Sequence, residues 1–175
     1  MVGSVCCVPL LDVEGPVTAE VFTLARSADE LLLTGPCGAA PWHIESGAGE
    51  HPLDTVRRIV EGAIDGVLLV HSTSWRYERD AVVLSFVVVI DPDAVGAMDA
   101  APVVRSALAR SSTHAAPETI GHLQVLEHGL RHLAWLAKED AMVRATLDDG
   151  WRALLAGYVP EPFRQLDTPQ QEGWT

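Results

Sequence analysis

Lysine is almost missing from this chain. Lys138 stands alone against eleven arginines, and the formal net charge is −12. An acidic chain repels phosphate backbones, so nucleic acid is not expected as a partner. A local arginine patch could still hold one phosphate group. Cysteine is scarce as well: Cys6, Cys7 and Cys37. The odd count and the spacing fit neither a zinc site nor a disulfide framework. Neighbours such as Cys6 and Cys7 rarely bond to each other, because the ring is strained. Three inert thiols in a reducing compartment are expected, and with them a cytoplasmic protein. Basic residues are absent ahead of the first apolar run, so no signal peptide is expected. No run approaches about 18 apolar residues, so no membrane span is expected. Internal repeats and low-complexity tracts are missing. So is G-x-S-x-G, and the serines and histidines form no readable triad, which leaves a nucleophilic hydrolase unsupported.

What is present suits a packed core. Apolar residues make up 48% of 175 residues. A chain of this size buries roughly 70% of the surface that its unfolded form exposes. One domain over 1–175 is expected. In chain order, Val5 to Leu11 reads as a strand or an arm. Ala19 to Arg26 and Glu30 to Thr34 read as a hairpin-like pair, with a turn at Ser27-Ala28-Asp29. Gly35-Pro36-Cys37-Gly38 breaks the chain. Trp42-His43-Ile44 reads as a short strand end, and Ser46-Gly47-Ala48-Gly49 as a loop that permits close backbone approach. His51-Pro52 opens a helix, in which Leu53, Val56, Ile59, Val60, Ala63 and Ile64 recur at helical spacing. Gly62 weakens that helix and wants a reason. Gly66 to His71 reads as a strand, Ser72 to Asp80 as a polar loop, and Ala81 to Asp91 as a strand covered on both faces. Beyond it the chain turns helical: Pro102 to Arg110, Pro117 to Lys138, Glu139 to Leu147 and Trp151 to Tyr158, the last two split by Asp148-Asp149-Gly150. The stretch 92–116 connects, 117–166 carries the C-terminal helices, and 167–175 reads as a frayed tail.

This order of parts, with W-H-I-E-S-G followed by G-E and a helix, resembles the Nudix hydrolase superfamily. The match covers 19–91. It implies an α/β (α+β) fold: an α/β/α sandwich with a mixed sheet, here with a helical C-terminal extension. The family box is G-x5-E-x7-R-E-U-x-E-E-x-G-U, where U is a bulky apolar residue. Glu50 falls on its first glutamate, Arg58 on its arginine and Val60 on its U. Ile59 stands where the next glutamate belongs. Gly62 and Ala63 stand where the family carries its two metal-binding glutamates. Asp65 replaces the final glycine, with Gly66 one place late, and Gly47 lies three residues before Glu50 where the box asks for six. Family enzymes hydrolyse nucleoside diphosphate derivatives with a divalent metal that is held by carboxylates. Gly62 and Ala63 supply none, and Glu61 lies about 100° round the helix.

The expectation is therefore a Nudix-like protein without a working metal site and without a resident cofactor: a small-ligand-binding or protein-interaction module. Trp42, Glu45, Glu50, Arg57, Arg58, Trp75 and Arg76 form its expected site. Arg57 and Arg58, with the loop N–H groups, suit an anionic or nucleotide-like ligand; the bland alternative pairs Arg58 with Glu61 or Asp54 along the helix. Trp42, Trp75 and Tyr77 suit a flat ring, or else pack under loops. The alternative function is a divergent hydrolase holding Mg2+ or Mn2+ through Glu45, Glu50 and Glu61, with Glu50 and Glu61 catalytic. His128 and His132, four apart, have metal-ligand spacing. The same face could instead meet a neighbouring helix or a second copy, giving a homodimer through the long helix.

Overall fold

The computed structural model describes residues 17–47, 49–78, 81–96, 98–108 and 119–158. The readings on Val5 to Leu11, on Cys6 and Cys7, on 109–118 and on the tail from Val159 lie outside the described residues.

A ten-residue strand, β1 (Val17–Arg26), lies at the centre. Its sequence alternates Ala19, Val21, Thr23 and Ala25 on one face with Thr18, Glu20, Phe22 and Leu24 on the other, and nearly all of it is buried. One edge pairs along Val17 to Leu24 with β5 (Ala81–Ile90), in parallel. The other edge is shared. Its first half pairs antiparallel with β3 (Trp42–Ser46), and its second half with β2 (Leu31–Thr34). At the division, Trp42 Nε1 donates to Thr23 Oγ1 at 2.9 Å. Gly35 passes against this pair: a Cβ there would lie 3.3 Å from Trp42 Nε1. Its φ of +143° adds a second reason for glycine.

β4 (Val67–Glu78) pairs with β5, and β6 (Ala100–Pro102) with β2, giving the order β4-β5-β1-β2-β6 with β3 beside β1. The sheet is mixed, as expected. Helix α1 (Pro52–Ala63) packs Val56 and Val60 on one face, against Ala19, Val21, Trp42, Phe86 and Val88. The other face carries α2 (His122–Glu139), α3 (Ala141–Thr146) and α4 (Asp149–Leu155), which cover Phe22, Leu24, Val87 and Val89 with Leu126, Leu130, Leu133, Val143 and Trp151. Gly129 lets α2 approach the sheet: a Cβ there would sit 3.0 Å from Val87 Cγ1.

Two expected elements differ. Ser72 to Glu78 is not a loop; it extends β4, paired from Ser74↔Ser85 to Glu78↔Ala81, after a register shift between Ser72 and Ser74. Trp75 and Tyr77 favour a half-buried pleated surface, and a sheet edge tolerates the polar residues between them. No helix starts at Pro102. Pro102 ends β6, where an edge position suits its missing N–H, and residues 103–108 have no regular structure. Smaller shifts occur at helix ends. α2 begins after Gly121, and Asp148 caps α4 by accepting the Trp151 N–H at 2.9 Å.

Candidate functional site

The loop between β3 and α1 is held by Glu50. Its Oε2 accepts from the Gly47 N–H at 3.2 Å and from the Thr55 hydroxyl at 3.0 Å. Arg58 Nη2 stands 3.8 Å from Oε1. The Gly47 N–H above all, then the Thr55 hydroxyl, hold the carboxyl below its ordinary pKa, with Arg58 adding to them. Arg57, Arg58 and Glu61 lie exposed on α1, and so do Gly62 and Ala63. Glu45 belongs to a different surface. Trp42, Ile44 and Ser46 turn inward on β3, so His43 and Glu45 leave the face opposite α1. Among the described residues no group of three His, Cys, Asp or Glu side chains is placed to hold a metal ion.

The expected aromatic set is dispersed too. Trp42 is 1% exposed, within the core. Trp75 and Tyr77 are 70% and 66% exposed. They sit two apart on β4, opposite Leu84 and Val82, on the α1 side of the sheet. Arg76, between them, leaves the other side.

That other side carries a polar cluster, in which Glu45 and Arg76 are the members of the expected site and Glu20, Glu78 and His43 are additions. Cross-strand register aligns His43, Glu20, Ser85 and Ser74 in one row, and Glu45, Thr18, Val83 and Arg76 in the next. Arg76 bridges the rows. Its Nη1 donates to Glu20 Oε2 at 2.6 Å, and its Nε donates to Glu78 Oε2 at 2.9 Å. Burial opposes the guanidinium charge, and the Glu20 and Glu78 carboxylates more than offset it, so the Arg76 pKa is raised. Burial is the main influence on His43 and lowers its pKa; Glu20 opposes that, and Arg76 adds to it. Glu20 is only 3% exposed. Thr18, the next residue along that face of β1, is 2% exposed, and its Oγ1 has no hydrogen-bond partner. The available signal was Glu20 itself, a charge inside a strand whose other residues from Val17 to Ala25 are apolar or hydroxylic.

Two further constellations lie under α2. His132 Nε2 lies 3.3 Å from His71 Nε2 of β4, and His132 makes an edge contact with Trp135. Burial first, then His71 and His128, bring the His132 pKa down to about 4. The His132 face of α2, expected to be an outer face, thus meets β4 of the same chain. Glu127 is buried and clamped. Arg105 donates to both its oxygens at 2.9 Å, and Arg131 donates to Oε1 at 3.0 Å. No helix among the described residues is long and apolar enough to cross a membrane. Compared with family models, with curated proteins and with solved structures, the chain matches none.

Proposed function

We propose that this chain is a Nudix-like protein which binds a small polar ligand and does not carry out metal-assisted hydrolysis. One observation carries the reading: Glu50, the glutamate that falls on the family motif, is the clasp of its own loop, held by Gly47, Thr55 and Arg58. The neighbouring motif positions, Gly62 and Ala63, have no carboxylate to offer a hard cation. Binding is placed on the opposite sheet face, around Arg76, Glu20, Glu78 and His43. There buried and partly buried polar groups converge, as they do in ligand sites.

The test is a thermal-shift screen of nucleotides, sugars and amines, each with and without Mg2+ or Mn2+. A ligand bound by the folded state alone raises the melting temperature by mass action. A metal-independent shift whose size changes in Arg76→Met supports the reading. A shift that requires metal, accompanied by product, favours the divergent hydrolase.

A second reading rests on Trp75 and Tyr77. Two large aromatics exposed side by side are the residue types that anchor protein interfaces. Trp75→Ala and Tyr77→Ala would then abolish association with a partner and leave the ligand shift intact.

A further inference from the structure

We infer that the cluster on the sheet face takes a small organic cation: a molecule with an ammonium group and a neighbouring oxygen. This rests on the ligand-binding reading above and narrows it. An anion does not suit the charges of this cluster. Arg76, the cation of the cluster, is already bonded to two carboxylates, Glu20 and Glu78. Those three groups sum to one negative charge, and Glu45, exposed in the adjoining row, adds another. His43 brings no compensating positive charge near neutral pH, because burial favours its neutral form. An arriving phosphate or carboxylate would meet Glu20 and Glu78 beside the guanidinium that they hold. An ammonium would meet carboxylates that are only partly engaged: Glu20 bonds Arg76 through Oε2, and Glu78 also through Oε2.

Thr18 supplies an independent observation. Its side chain is almost wholly enclosed on the face that carries Glu20, and its Oγ1 is unpartnered. Buried hydroxyls are normally paired, so an orphan beside a charged cluster marks a place for a polar group from outside the chain. A hydroxyl both donates and accepts, which matches an oxygen next to the ammonium. The His43 imidazole, in the next row, offers a second neutral partner.

Matched probes separate charge from shape. Glucosamine and glucose differ by the ammonium, and glucose 6-phosphate adds an anion instead; ethanolamine is the minimal amine. Isothermal titration of the whole chain near pH 7 should find the amines binding at least tenfold more tightly than glucose, with glucose 6-phosphate weakest. Glu20→Gln and Glu78→Gln should each abolish that preference. Glu20→Gln removes a buried charge, so its melting temperature is read first; Glu78, nearer solvent, serves if that variant does not fold. Thr18→Val should melt no lower than the parent, since its hydroxyl has no partner to lose, yet bind the amines several-fold more weakly. Equal binding of glucose and glucosamine, or tightest binding of glucose 6-phosphate, overturns the cation inference and leaves ligand binding standing. No heat with either amine at millimolar concentration overturns it as well. The wider screen then decides the ligand-binding reading separately: a nucleotide shift whose size changes in Arg76→Met keeps it, and no shift with any class ends it.

Discussion

Trp42 shows how one residue fixes a junction. Its indole fills the core beside β1, and its N–H reaches Thr23 where β2 and β3 divide the strand edge. Thr23→Val would keep the shape and leave the N–H buried without a partner. That should cost about 1–3 kcal/mol in chemical denaturation, with little change in the native spectrum. Glu127 is the second residue of this kind. Glu127→Gln leaves Arg105 and Arg131 facing a neutral amide, and breaking such a buried set by removing one charge costs about 3–5 kcal/mol. Arg105 is half exposed, which places the expected loss at the lower end of that range. Neither role was legible beforehand. Trp42 read as a pocket wall because it lies near the glycine loop, and Glu127 carries no mark in the sequence that sets it apart from other helix charges. Nothing in a linear sequence says that Arg105, in an irregular segment, lies beside it.

At the scale of elements, periodicity served well where one face is buried and poorly at edges. α1 was legible because apolar residues recur at helical spacing, and β1, β2 and β5 because they are short runs rich in apolar and β-branched residues bounded by turn residues. The outer part of β4 was not, since an edge strand needs no second apolar face and its polar residues mimic a loop. Pro102 was misleading for a related reason: proline opens helices and also suits strand edges. The candidate site shared this fate. Arg76 was named for the charge it carries, but its partners Glu20 and Glu78 become visible only once β1 and β4 are set in register across β5. Gly62 gives an element-scale prediction. A Cβ there would meet nothing within 4 Å, and the residue is exposed in α1. Gly62→Ala should therefore stabilise the protein by about 0.5–1 kcal/mol, read as a higher denaturation midpoint. A loss of stability would contradict this.

Across the whole molecule, acid should loosen the fold before it unfolds the carboxylate networks. His132 titrates near 4 when folded against an ordinary value of 6.5, and burial also lowers His71 and His43. Above 6.5 the folded and unfolded chains bind these protons equally, so the histidines cost nothing there. As pH falls through 6.5 the unfolded chain takes up protons that the folded chain refuses, and stability declines until about pH 4. His132 alone contributes up to about 3 kcal/mol to that decline. Denaturant midpoints at pH 7.5, 6 and 4.5 should fall in that order, and His132→Phe should flatten the series. Burial would raise the Glu127 pKa, and the hydrogen bonds from Arg105 and Arg131 more than offset it, so the pKa is lowered and further stability is lost as acid protonates this carboxylate.

The account as a whole stands on binding without metal-assisted hydrolysis. The most direct measurement is product release from a panel of nucleoside diphosphate derivatives with Mg2+ or Mn2+, run beside the Glu50→Gln variant. The account predicts release no faster than the protein-free control, with Glu50→Gln unchanged in this respect but lower in melting temperature through its loosened loop. Metal-dependent turnover in the parent chain that disappears in Glu50→Gln would contradict it.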